Sequence, residues 1–323
     1  MTTGKQRPAQ RDLSINSWLE RRFYRSEDYT LERLLDAKGN TTVSVILPAR
    51  EVATTIGGVL RQLLGARDAG LIDELVVIDA DSEDGTASVA RNLSVTVHQR
   101  SEILSSYGPA RGKGDGIWRG MHVTDGDVVV FMDTDTQNFG PHFLAGLLGP
   151  ILEDDGLQLV KGAFHRPLQL GGVKVPDEGG RVTELVARPL INLYLPQLAG
   201  FVQPLAGEIA ARRTLLESLS IPVGYGVEIA MLIDCLRAVG IEAMGQTDLG
   251  TREDTNQSLR DLVSMAYTVA ATLLSRVDGA PSISETETGA FLLPSADGTA
   301  EIEVSLLERP PLAELRSDGA AQA

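Results

Sequence analysis

From residue 43 onward two patterns alternate along the chain. Short runs rich in apolar and β-branched residues recur at Val43–Leu47, Leu75–Ile78, Val95–Val97, Val128–Met132 and Gln158–Phe164. Such runs, bounded by Pro48 or by acidic turns, predict buried strands. Between them, apolar residues fall at helical spacing. In Thr54–Ala66 they are Ile56, Val59, Leu60, Leu63 and Leu64, which together make one apolar stripe. Ser82–Arg91, Gly116–Val123 and Pro141–Leu152 are predicted as further helices. Val128–Met132 has no polar position at all, so it predicts a central strand covered on both faces. Strands alternating with helices at this spacing predict an α/β fold with a mostly parallel sheet and crossover helices.

The pattern breaks at Gly171–Gly180, which is glycine-rich, charged and without period. It predicts a loop and a candidate flexible lid. Beyond it Arg181–Leu198, Ala211–Leu219, Gly226–Val239 and Gln257–Arg276 have helical patterns, with one strand at Ile241–Thr247. The chain therefore divides into a polar arm over 1–40 with a short helix near Tyr29–Ala37, a sheet-rich half over 41–165, a more helical half over 166–277, and a tail over 278–323. The tail is expected to pack in part through Phe291–Leu293 and Val304–Leu307. No internal repeat is visible.

Composition narrows the function classes. The chain has 323 residues, 44 acidic against 29 basic, and a formal net charge of −15. A nucleic-acid binder needs a broad basic surface, which this balance argues against. Any anionic ligand must be met by a local cluster. A single cysteine, Cys235, excludes a disulfide framework and a thiolate zinc site. It lies in an apolar stretch and reads as a core thiol. Met1–Asp12 has no apolar secretory region, and no run approaches the roughly 18 apolar residues of a membrane span. The expectation is a soluble cytoplasmic protein. His98, His122, His142 and His165 show no metal-binding spacing, and neither G-x-S-x-G nor G-x-G-x-x-G occurs.

Five segments have the residue types for chemistry. Asp133-Thr134-Asp135 follows the strongest strand, where ligands of open parallel sheets bind. Two carboxylates there suit hydroxyls and a hard cation such as Mg²⁺ or Mn²⁺, although a turn would use the same residues. Asp79-Ala80-Asp81-Ser82 ends the second strand, where a carboxylate can accept from a base or ribose, or simply cap a helix. Arg111-Gly112-Lys113-Gly114 places one of only five lysines between glycines, so that backbone and charge can approach an anion. It lacks the spacing of a P-loop. Gly179-Gly180-Arg181-Val182-Thr183-Glu184 opens a helix with an arginine, which opposes the helix dipole unless an anion sits beside it. In Gly224-Tyr225-Gly226-Val227-Glu228, the glutamate heads an apolar helix. It either complements the dipole or holds hydroxyls in a cleft.

Taken together, Val43–Ala49, Leu75–Ser82, Gly112–Gly114 and Val130–Asp135 resemble a GT-A glycosyltransferase. Downstream, Gly180–Pro189, Gln203–Leu205, Gly207-Glu208, Gly224–Ile229 and Ala271–Arg276 narrow the likeness to the glucosyl-3-phosphoglycerate synthase family and its mannosyl relatives. The resemblance spans about Thr41–Arg276. It implies a GT-A, Rossmann-like sheet and metal-dependent, retaining transfer of a hexose from a nucleoside diphosphate to the 2-hydroxyl of 3-phosphoglycerate. It also implies a homodimer. By the same resemblance Pro48, Ala49 and Glu51 line the nucleoside pocket, with Asp81 and Ser82 near the base. Asp133, Thr134 and Asp135 flank ribose and metal, Lys113 lies near nucleotide and sugar, and Glu228 holds sugar hydroxyls. Catalytic roles fall to Asp135, Lys113 and Glu228. Gly180, Arg181, Thr183 and Asn256 hold the phosphoglycerate, and Asp135 and Asp254 ligate Mg²⁺, Mn²⁺ or Co²⁺.

Two departures from the family stand out. Its P-A-x-N-E-E segment is here Pro48-Ala-Arg-Glu-Val-Ala53, and its metal-ligating histidine is replaced by Asp254. Three rivals are weighed. A lipid-phosphate glycosyltransferase would bring a membrane anchor. A nucleotidyltransferase would have a glycine-rich signature after the first strand, where Pro48–Ala53 has no glycine. The third, a non-catalytic sugar-nucleotide-binding protein, stays open because of Asp254.

Overall fold

The computed structural model describes residues 8–170, 173–175, 179–253, 258–260, 262–279, 288–295 and 298–321. Fourteen strands occur among them: β1 (Phe23–Arg25), β2 (Val43–Ala49), β3 (Glu74–Asp79), β4 (Thr96–Gln99), β5 (Val128–Phe131), β6 (Leu159–His165), β7 (Leu168–Leu170), β8 (Val173–Val175), β9 (Ile209–Arg212), β10 (Ile221–Pro222), β11 (Met244–Thr251), β12 (Thr288–Ser295), β13 (Gly298–Ser305) and β14 (Glu308–Arg309). Eight form the central sheet in the order β1-β11-β6-β9-β5-β2-β3-β4. Every neighbouring pair is parallel except the two that involve β9.

The continuous apolar runs are explained by two cores, one on each face. Val45, Leu47, Val128 and Val130 point into one core, and Ile46, Val129 and Phe131 into the other. Alternate side chains leave opposite faces of a strand, so a strand buried on both sides has no polar position to spare. The helices Ile56–Asp68 and Pro141–Glu153 cover the first core, and Lys113–His122 and Val227–Val239 the second.

Three expectations change. Residues 8–40 are not a detached arm. Pro8–Arg22 and Leu31–Lys38 are helices, and β1 adds a parallel edge strand to β11. Trp18 is buried and its indole donates to the carbonyls of Ile241 and Met244 at 3.0 and 3.2 Å. Second, the helix expected over Ala211–Leu219 is strand β9 followed by a short helix, Arg213–Glu217. The short run Ile209–Arg212 is too brief for periodicity to separate strand from helix. Third, the tail folds back: β12 and β13 make a hairpin, β14 pairs with β10, and Leu312–Ala321 is a helix. Phe291 stacks on Tyr267, with ring centroids 5.3 Å apart.

The predicted helix over Arg181–Leu198 is broken into a π-helical turn, Thr183–Ala187, the helix Arg188–Tyr194 and the 3₁₀ turn Pro196–Leu198. The strand predicted at Ile241–Thr247 runs over Met244–Thr251 instead. Half of the predicted Gly171–Gly180 loop lies outside the described residues, as do Asp254 and Asn256, and its Val173–Val175 is strand β8, paired with β7.

Candidate active site

One edge of the sheet gathers the chemistry. The carboxyl ends of β2, β3, β5, β6 and β11 all reach it. Because β9 is antiparallel, its beginning lies there too, and Ile209 pairs with Phe131 at the end of β5. The strand reversal thereby delivers Gly207 and Glu208 to the same edge as Asp133.

A cavity of about 340 Å³ opens at this edge. Its lining includes Pro48, Ala49, Lys113, Asp133, Thr134, Asp135, Gly180, Arg181, Thr183 and Glu228. Residues from both halves of the chain thus meet at a single site. Glu51, Asp81 and Ser82 do not line the cavity. They sit on the adjoining loops and tie them together: the Glu51 amide donates to Ser82 Oγ at 3.0 Å, and the Glu83 amide to Glu51 Oε1 at 2.9 Å. Asp81 accepts from Ser101 Oγ at 2.6 Å.

At the centre is a chain of buried charges. Lys113 Nζ lies 2.5 Å from Asp133 Oδ1 and 2.7 Å from Glu228 Oε1. Arg252 Nη1 donates to Asp133 Oδ2 and Glu208 Oε1, both at 2.8 Å, and its Nη2 to Asp135 Oδ1 at 2.9 Å. Burial works against the charge on Lys113, but Asp133 and Glu228 outweigh it and hold the ammonium above the usual lysine range. Burial likewise opposes charge on Asp133, yet Lys113 and Arg252 keep its carboxyl well below the usual range. Glu208 is different. Burial raises it and Arg252 recovers only part of the cost, while its Oε2 has no hydrogen-bond partner. Behind this layer Lys161 is fully buried on β6, donates to the Ala206 carbonyl at 2.6 Å, and is pushed by burial down to about 8.

Glycines permit the close approach. A Cβ on Gly207 would meet Asp133 Oδ1 and Lys113 Nζ, and one on Gly114 would meet the Pro222 carbonyl. On the other side Gly180 takes φ +69°, a conformation that favours glycine, and turns the chain into the helical segment that Arg181 opens. The Glu184 amide bonds back to the Gly180 carbonyl at 3.0 Å.

Arg252 is the residue that sequence reading missed. It stands two residues before Asp254 and bridges three carboxylates. The available signal was its place one residue beyond β11, at the same edge as Asp133. Glu208 was visible only as part of a motif, because the strand that begins after it was read as a helix.

A divalent cation fits this donor set in one way. Among the described residues no group of three or more acidic, histidine or cysteine side chains could enclose a metal. Both oxygens of Asp133 are engaged by cations, whereas Asp135 is half exposed and binds Arg252 through one oxygen. One carboxylate completed by ligand phosphate oxygens is a normal Mg²⁺ or Mn²⁺ arrangement.

The comparisons with known proteins decide the family. Residues 44–181 match Glycosyl transferase family 2. The glucosyl-3-phosphoglycerate synthase of Mycolicibacterium smegmatis is 41% identical over 93% of this chain and 98% of its own. The chain belongs to the glucosyl-3-phosphoglycerate synthase family. Among solved structures, the mannosyl-3-phosphoglycerate synthase of Rubrobacter xylanophilus superposes with a TM-score of 0.83 at 40% identity, covering 93% of this chain and 99% of that one. A glucosyl-3-phosphoglycerate synthase from Mycobacterium tuberculosis, in complex with Mn²⁺, UDP-glucose and phosphoglyceric acid, gives a TM-score of 0.79 at 40% identity over 89% of this chain and 96% of that one. The fold is accordingly the GT-A fold of this family, with the mixed, mostly parallel sheet described above. No helix among the described residues is long and apolar enough to cross a membrane.

Proposed function

We propose that this protein transfers glucose from UDP-glucose to the 2-hydroxyl of 3-phosphoglycerate with retention of configuration, giving glucosyl-3-phosphoglycerate and UDP. The observation that carries it is the meeting, in one cavity, of Asp133-Thr134-Asp135, Lys113 and Glu228 with Arg181 and Thr183 of the acceptor half. The two sets are at least 45 residues apart in sequence, yet they face the same space in a member of this family.

Pro48, Ala49 and Thr134 shape the nucleoside end. Lys113 is a fixed cation between donor diphosphate and sugar, and Glu228 offers its second oxygen to sugar hydroxyls. Arg181 and the helix start behind Gly180 orient the anionic acceptor, which contributes proximity. A divalent cation held by Asp135 and the diphosphate would neutralise charge developing on the leaving group. Asp133 and Glu228 are each bonded to Lys113. Both oxygens of Asp133 and one of Glu228 are thus taken up by cations, and neither side chain is placed as a free nucleophile. The proton of the acceptor hydroxyl therefore passes to the departing diphosphate as the new bond forms on the same face of the sugar. A homodimer is part of this reading, with Leu185, Leu193 and Tyr194 as exposed apolar residues. So is a cytoplasmic setting, carried by cysteine usage alone.

The test is turnover of purified protein with 3-phosphoglycerate and Mg²⁺ or Mn²⁺, using UDP-glucose and GDP-mannose in parallel. The expected product is α-glucosyl-3-phosphoglycerate, formed faster from UDP-glucose. Binding of UDP-glucose without transfer would refute the enzyme reading. Preferred use of GDP-mannose would reassign the sugar.

A further inference from the structure

The helix that presents Lys113 to the cavity is fastened from behind by the C-terminal segment. Asp115, one turn into that helix, is fully buried. Arg309 grips it as a fork, Nε to Oδ1 at 2.9 Å and Nη2 to Oδ2 at 3.0 Å. The same carboxylate accepts the Arg111 amide at 2.7 Å and Arg119 Nε at 3.1 Å. Arg309 also donates to the carbonyls of Tyr107 and Pro109, and the Trp118 indole donates to the Pro310 carbonyl at 2.9 Å.

These bonds join a layered arrangement that leads straight into the site. β14 pairs with β10, the Val223 amide bonds the Leu307 carbonyl at 3.0 Å, and the Asp115 amide bonds the Val223 carbonyl at 3.1 Å. The chain running on from β10 contributes Tyr225 and Glu228 to the cavity, and Glu228 meets Lys113. A second tie runs through Arg276, which bonds Asp234 and Glu308, both at 2.8 Å. Glu308 is thus held by the buried Arg276, one residue beyond the helix Leu262–Ser275, and Arg309 by the buried Asp115 on the helix of Lys113.

We propose that Arg309 is a positioning residue for Lys113, acting through Asp115, so that the C-terminal segment sets the geometry of the donor side of the site. A bidentate arginine–carboxylate pair fixes orientation as well as distance. Here it fixes the first turn of the helix on which Lys113 stands. Arg181 stands on a separate element, the helical segment opening after Gly180, so the effect should fall on the donor rather than the acceptor. The proposal rests on the glycosyl-transfer reading for its kinetic form.

The test uses the full chain with Arg309→Ala and Arg309→Lys. For Arg309→Ala, kcat/KM for UDP-glucose should fall about tenfold or more, as displaced catalytic groups do, while KM for 3-phosphoglycerate stays within about twofold. Arg309→Lys should lie between the two, and added guanidinium ion should restore part of the Arg309→Ala loss. Hydrogen exchange at the amides of Arg111–Asp115 should quicken. A lowered melting temperature with wild-type donor kinetics would overturn the proposal, and so would an equal rise in KM for both substrates. If Arg309→Ala is recovered unfolded, Arg309→Lys decides by the same criteria. A wild-type protein without turnover would defeat the glycosyl-transfer reading instead. The exchange readout would still judge the clamp, and unchanged exchange in the variant would overturn it.

Discussion

Replacing Arg252 by methionine removes the charge that links three carboxylates while keeping most of the volume. The Arg252 side chain is only 4% exposed, and Glu208 beneath it is 1% exposed, so solvent screens this pair little. Breaking a buried pair by deleting one partner costs about 3–5 kcal/mol. For a chain of 323 residues that corresponds to a fall in Tm of roughly 4–7 °C. The pH dependence makes the prediction specific. Burial raises the Glu208 carboxyl and Arg252 partly restrains it. Without Arg252 it rises further, and its stability penalty is felt only where the unfolded chain has already lost that proton, above the ordinary glutamate pKa. Asp133 adds a loss that is the same at pH 7.5 and pH 5, so any narrowing between them comes from Glu208. The depressed Asp133 carboxyl stabilises the fold above the ordinary aspartate pKa, and that contribution fades only as pH falls through the folded value. The difference in Tm between wild type and Arg252→Met should therefore be large at pH 7.5 and smaller at pH 5. Differential scanning calorimetry at the two pH values measures it. A gap below 2 °C at pH 7.5, or one that does not narrow at pH 5, would refute the account of Arg252 as the neutraliser of this cluster.

Other outcomes follow from single residues. Gly207→Ala puts a methyl group against Asp133 Oδ1 and Lys113 Nζ, so kcat/KM should drop by about 100-fold or more; steady-state kinetics at wild-type levels would show that the loop yields. Asp135→Ala should abolish the metal dependence of transfer, which a titration with Mg²⁺ or Mn²⁺ reads directly. Arg181→Ala should raise KM for 3-phosphoglycerate more than for UDP-glucose, and equal shifts would count against its acceptor role. Burial depresses Lys161 to about 8, so the unfolded chain holds a proton that the folded one gives up between about 8 and the ordinary lysine value, and its cost to stability is full below pH 8. Lys161→Met should accordingly gain most in Tm over wild type near pH 7 and progressively less toward pH 10; a gain independent of pH would exclude Lys161 titration as its source.

The strands that build the sheet were legible because their residues answer to one constraint. Val45, Ile46 and Leu47 all face apolar cores, one face or the other, and the one polar residue of the run, Ser44, is buried with its hydroxyl bonded to Glu74. The tips of those strands were legible for the opposite reason: Asp133 and Asp135 are carboxylates where the sheet pattern stops, and Lys113 is flanked by glycines whose need for space the structure bears out. What stayed hidden depends on pairing between distant segments. Nothing within Ile209–Arg212 says that it is a strand, because its partners Phe131 and Lys161 lie far away in sequence. Arg252 looks like any arginine after a strand until Asp133 and Glu208 are seen to converge on it. The tail's packing through Phe291 and Val304–Leu307 was legible, but its ion pairs were not. Arg309 follows a stretch whose charges are all acidic, and only the buried Asp115 on its far side explains why a cation sits there. Each missed residue is a charge whose partner comes from elsewhere in the chain. Such a charge is costly to bury alone, so in this fold the long-range ion pairs, rather than the local motifs, hold Lys113, Asp133 and Glu208 in register.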